Sequence, residues 1–205
     1  MAIITTPPQN FDLCYFTGAP HTRRVGATNY HPVQITLQHV DPSPKNFGTR
    51  PIKVEGFIIP VTVGVRTTTP QPSSGFNTTT LSDVDPGHVM ALHLGGPDVP
   101  ENIVPQWRSW QRLGNWREME RYLDGYARRV IDDSRPFGGL PTRSVYYTVE
   151  LEYRSTGTIT PTLVAWSFPK AFYVTASIWN LDRTGTPTII DPFNNLKFEG
   201  VPDSY

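Results

Sequence analysis

The chain has 205 residues, 38% of them hydrophobic and 12% aromatic, which is enough for one well-filled core or at most two small ones. Its 18 basic and 18 acidic side chains give zero formal net charge; dedicated nucleic-acid binders are usually basic, so tight, stable binding is disfavoured, while an enzyme that must release its product is not. No apolar run approaches ~18 residues, which excludes a transmembrane helix and a membrane role, and Met1 to Asn10 lack the cationic and apolar parts of a secretory signal.

Cys14 is the single cysteine. It cannot form an intramolecular disulfide, and it reads as a small buried hydrophobe in a protein of a reducing compartment. Only Lys45, Lys53, Lys170 and Lys197 are lysines; the other 14 basic residues are arginines, the better bidentate phosphate ligands. The 21 prolines and 16 glycines predict many turns and short strands.

In chain order, residues 1–50 are rich in Pro, Thr and Asn. Val33 to Val40 read as a strand through Val33, Ile35 and Leu37. Residues 52–66, "IKVEGFIIPVTVGVR", are β-rich, and the polar stretch 67–80, "TTTPQPSSGFNTTT", is a loop. Residues 116–130 carry the dominant helix: Trp116, Met119, Leu123, Tyr126 and Val130 fall at intervals of 3 and 4, one apolar face on a 3.6-residue period. Gly114 and Asn115 suit its start. Val145 to Tyr153 and Thr160 to Phe168 read as a hairpin across Arg154 to Ile159, where Gly157 lies. Residues 171–179, "AFYVTASIW", are another β-rich run, and the tail with Pro187, Pro192 and Pro202 reads as irregular. The sum is an α+β class.

Chemistry concentrates between Asp83 and Leu123. A histidine follows a glycine in a turn, then come a Gly-Gly-Pro loop, a stretch of Asn, Gln and Arg, and a helix with glutamates in its first turns. Imidazole, amide and carboxylate brought together can serve one hard metal ion and one general base.

The ordered string is more specific than its parts. Asp85-Pro86-Gly87-His88, Leu94-Gly95-Gly96-Pro97, Asn102-Ile103-Val104-Pro105-Gln106, and then Trp116 and Glu120 on the helix resemble the signature of the DNA/RNA non-specific endonuclease family of ββα-metal nucleases. The match is dense over about a fifth of the chain. It departs from the family at Pro86, where an arginine is usual, and at the metal-binding asparagine. That asparagine lies five residues after the Gln of the third element, where this chain has Gln111, and the helical Trp and Glu come one residue late. Either Gln111 takes the ligand role or the loop is re-registered and Asn115 does; an amide oxygen is a hard, neutral ligand in both cases.

The resemblance implies a ββα-metal core with flanking strands in a single nuclease domain over 1–205: a β-rich part at 1–65, the motif core at 83–130 and C-terminal strands at 145–180. It implies a Mg²⁺-dependent endonuclease cutting phosphodiester bonds of DNA and RNA to leave 5′-phosphate ends. His88 would be the general base, one Mg²⁺ (or Mn²⁺) would sit on water and an amide oxygen, and Glu120 would have a site role in preference to Glu118, which falls on another side of the helix. Asn102 would fix the loop, Asp85 would fix the turn or orient His88, and Arg108, Arg112 and Arg117 would contact phosphates. Bacterial relatives are often toxin domains, sometimes with a neutralising immunity partner. A cytoplasmic enzyme, or a toxin exported by a dedicated secretion machine, is therefore expected. The rival reading is a catalytically inactive nuclease-fold protein with a binding or structural role. His93 reads as a core or surface residue, and His21, His31 and His39 as surface residues.

Overall fold

A computed structural model describes residues 33–38, 48–60, 69–137, 139–153, 166–182 and 184–200. Cys14, His21, His31, His39, Pro202 and the segments 61–66 and 160–165 lie outside the described residues. The described chain is α+β and strand-rich. Its larger sheet is six-stranded and antiparallel, in the order β1 (Val33–Gln38), β2 (Arg50–Phe57), β5 (Arg143–Tyr153), β6 (Pro169–Asn180), β7 (Thr188–Ile189), with β8 (Leu196–Glu199) also on β6. The smaller sheet pairs β3 (Val84–His88) with β4 (Ile103–Trp107), also antiparallel. The chain passes directly from β4 into α1 (Arg108–Leu113) and then α2 (Asn115–Asp133).

α2 is the helix that the 3–4 spacing foretold, and Gly114 stands at its N-cap. Its buried face runs Trp116, Met119, Leu123, Ala127 and Ile131, while Tyr126 and Val130 are only half-buried at its edge. This face packs on the inward residues of β5 and β6, among them Val145, Tyr147, Val149, Phe172 and Val174. Trp116 is the centre of the junction. It is fully buried, stacks on Trp110 of α1 with ring centroids 4.8 Å apart, and meets Phe172 and Phe198 at 5.0 and 5.4 Å. Burial of aromatic area on this scale fixes α1, α2 and the sheet relative to one another.

Three sequence expectations change. The strand paired with β5 is β6, in a register that includes Leu151↔Phe172 and Tyr147↔Ala176, and not Thr160 to Phe168. Of that segment, Trp166 and Ser167 form a helical turn, and Phe168 packs edge-on against Phe76 at 4.9 Å in a small cluster with Val84. Phe168, which looks like a strand residue, therefore serves as an anchor onto the β3 side. The tail is not wholly irregular, because β7 and β8 pair with β6 between and after the prolines. Finally, α1 stands where the sequence reading had only a polar stretch.

Candidate active site

His88 is the last residue of β3 and pairs with Ile103 of β4. Its ring is buried, and its Nε2 lies 2.9 Å from Asp98 Oδ1. A side chain at position 87 is impossible without rearrangement: a Cβ there would sit 2.0 Å from Gln106 Oε1 and 2.2 Å from its Cδ. The Gln106 side chain lies over Gly87 instead and donates through Nε2 to the His88 carbonyl at 3.4 Å. Gly87 and Gln106, both motif residues, thus set the backbone that carries His88.

The loop from β3 to β4 is held by Asn102, which is fully buried. Its Oδ1 accepts from Met90 N–H at 3.1 Å, and its Nδ2 donates to the Met90 and Pro97 carbonyls, each at 2.9 Å. Gly95 takes the left-handed conformation with φ 97°, where a β-carbon is strained, and a Cβ on Gly96 would fall 1.8 Å from the Met90 carbonyl oxygen. The Gly-Gly pair is thereby explained by backbone geometry.

Among the described residues Asp85 makes no hydrogen bond to His88. It binds Arg108 Nε at 3.2 Å and Arg112 Nε at 2.7 Å, tying β3 to α1. Both arginines are about half exposed, so these pairs contribute orientation more than stability.

A cleft of about 670 Å³ lies between β3, the loop after it, α1 and α2. His88, Gln111, Glu120, Asp85, Arg112 and Arg117 all line it, as do His93 and Arg121. Arg108, Asn102 and Asn115 are not among its lining residues. Asn115 is exposed in the first turn of α2, and Gln111 is half-buried on α1. Two wall residues, His93 and Arg121, and Asp98 against His88 had no signal in the sequence. Asp98 and Arg121 depend on a loop path and a helix face, and His93 stood outside every motif. Arg117 and Arg121 lie four apart on α2, and neither has an acidic partner among the described residues, unlike Arg108, Arg112 and Arg128.

Glu120 is at the floor. Burial raises its carboxyl from 4.5 to about 8, with the Trp116 indole and the Arg117 charge pulling the other way. Burial also lowers His93 below the usual imidazole range, against the Asp124 charge and a bond to the Glu120 carbonyl. Because the folded state holds the Glu120 proton more tightly than the unfolded chain, its contribution to stability is complete below about 4.5 and is lost as pH rises through about 8. In metal-free buffer, Glu120→Gln should therefore melt close to wild type at pH 4.5 and above it at pH 9. A melting difference that stayed flat across this range would contradict the burial of an ionisable Glu120.

Among the described residues, no three His, Cys, Asp or Glu side chains converge on one point as a metal cage requires. The oxygen donors at the cleft, Gln111 and Glu120 with room for water, suit a hydrated hard cation that takes few protein ligands. No helix is long and apolar enough to cross a membrane among the described residues.

No family model matches the chain, and no curated protein matches it. Among solved structures, the chain is similar to one described as the Sda1 nuclease with bound zinc ion, at 20% identity and a TM-score of 0.34. The likeness covers 56% of this chain and 39% of that one, too slight a superposition to carry an argument about function.

Proposed function

We propose that the chain is a Mg²⁺-dependent, sequence-non-specific nuclease of the ββα-metal type, which hydrolyses phosphodiester bonds in DNA and RNA. The observation that carries this reading is the cleft. It gathers His88, Gln111 and Glu120, which lie up to 32 positions apart in sequence, beside Arg112, Arg117 and Arg121. The motif string named His88 and Glu120 from the sequence alone and left Gln111 and Asn115 as alternatives for the ligand, and the β3–β4 pair leading into α1 and α2 has the order that a ββα core requires.

His88 takes the proton from a water that attacks phosphorus in line. Arg117 and Arg121, with no salt bridge among the described residues, hold the flanking phosphates. Arg108 and Arg112 are held by Asp85 and support the wall. Contacts to phosphates carry no base information, which accounts for cutting without sequence preference. Glu120 presents a neutral carboxyl in the metal-free protein, able to donate to a phosphate oxygen. Gln111, rather than Asn115, supplies the amide oxygen for the metal, because it lines the cleft. When bound, Mg²⁺ would neutralise charge on the phosphate and the leaving oxygen.

The experiment is a Mg²⁺ titration of DNA degradation. Gln111→Ala should raise the Mg²⁺ concentration for half activity by about tenfold or more, as for loss of a direct ligand. Asn115→Ala should leave the metal requirement unchanged. The opposite pair of results would move the ligand to Asn115. No degradation by any of the proteins, wild type included, would favour the inactive nuclease-fold reading.

A further inference from the structure

We propose that Asp98 is a positioning residue for His88: its carboxylate accepts the Nε2–H, fixing the ring's orientation and tautomer and making Nδ1 the nitrogen that receives the proton. This rests on the reading of His88 as the general base.

The geometry is a 2.9 Å contact between Asp98 Oδ1 and His88 Nε2. An ionised carboxylate can only accept, so Nε2 carries the hydrogen, and in neutral imidazole the lone pair is then on Nδ1. The contact does not depend on a chance side-chain reach. The peptide immediately before Asp98 is anchored by the bond from Asn102 Nδ2 to the Pro97 carbonyl, and the same Asn102 grips Met90, two residues after His88. One buried amide thus fixes the backbone of the imidazole and of the carboxylate together. Asp85, the acid that begins the motif, is engaged by Arg108 and Arg112. Asp98 is 38% exposed, while His88 is 8% exposed. A partly exposed carboxylate against a buried ring orients it while remaining solvated itself.

The experiment is nitrogen-15 NMR of the histidine side chains in metal-free wild type, Asp98→Asn and Asp98→Ala, with kinetics on the same proteins in Mg²⁺. Wild-type His88 should be in the Nε2–H form when neutral. In Asp98→Asn its titration should move down by about one pH unit, because the imidazolium loses its adjacent anion. The other charged or titratable groups lining the cleft, Asp85, Arg112, Arg117, Glu120, Arg121 and His93, are the same in both proteins, so the difference reports Asp98. In Asp98→Ala the tautomer preference should fall away as well. The rate constant kcat should drop roughly tenfold, its acidic limb should follow the shifted titration, and KM should change little. An Nδ1–H tautomer in wild type, or an unchanged tautomer and titration in both variants, would overturn the assignment. Because the NMR arm needs no turnover, absence of nuclease activity with the predicted shifts would sink the nuclease reading and leave the Asp98–His88 coupling standing. Full activity with no shifts would do the reverse.

Discussion

Replacing His88 by alanine should reduce the rate of DNA degradation by roughly 10²–10⁴-fold while the protein remains folded. The size follows from the proposed role. A positioned base would remove the proton as the water attacks, and alanine would leave only unassisted water in the cleft. The fold should survive because the backbone pairing of His88 with Ile103 does not need the imidazole. The core between α2 and the larger sheet is made of other side chains, with Trp116, Leu123, Tyr147 and Phe172 at its centre. The deserted Asp98 is exposed enough to be solvated. Arg128→Ala is the control, since that arginine lies on α2, paired with Asp124, and does not line the cleft. Circular dichroism, melting and plasmid degradation on the three proteins check the prediction. A His88→Ala protein within about threefold of wild type would mean that another group takes the proton.

Much of the scaffold could be read before any coordinates. The α2 face was visible because five apolar residues at intervals of 3 and 4 leave only one helix phase, and β5 and β6 because their runs of β-branched and aromatic residues are long. What escaped has physical causes. α1 has only six residues, too few to display a period, and it exists because Trp110 stacks on Trp116 across Gly114. β7 and β8 are two and four residues long and persist by pairing with β6, which no local propensity encodes. The hairpin partner of β5 was misplaced because Phe168, apolar like a strand residue, is spent on Phe76 instead.

The candidate site divides the same way. Gly87, Gly95 and Gly96 sit in motifs, and the backbone explains each: a Cβ would collide with Gln106 at the first and with Met90 at the third, and the second has φ 97°. Asp98 and Arg121 carried no local signal. The first becomes a neighbour of His88 only because Asn102 folds the loop back, and the second reaches the cleft only because α2 presents that phase. Residue type could not separate Gln111 from Asn115; in the fold, Gln111 lines the cleft and Asn115 does not.

The most direct measurement is the fate of a closed circular plasmid incubated with the purified chain in millimolar Mg²⁺, with and without excess EDTA, alongside melting curves in both buffers. On the proposed reading, phosphodiester hydrolysis at this cleft would need a cation to offset charge at the phosphate. Held by water and few side chains, that cation would cost little folding energy to remove, unlike a structural zinc. The expected result is degradation in Mg²⁺, none in EDTA, recovery when Mg²⁺ is restored, and melting temperatures within about 2 °C of each other. Intact plasmid in both Mg²⁺ and Mn²⁺, or degradation undiminished by EDTA, would contradict a metal-dependent nuclease built around His88.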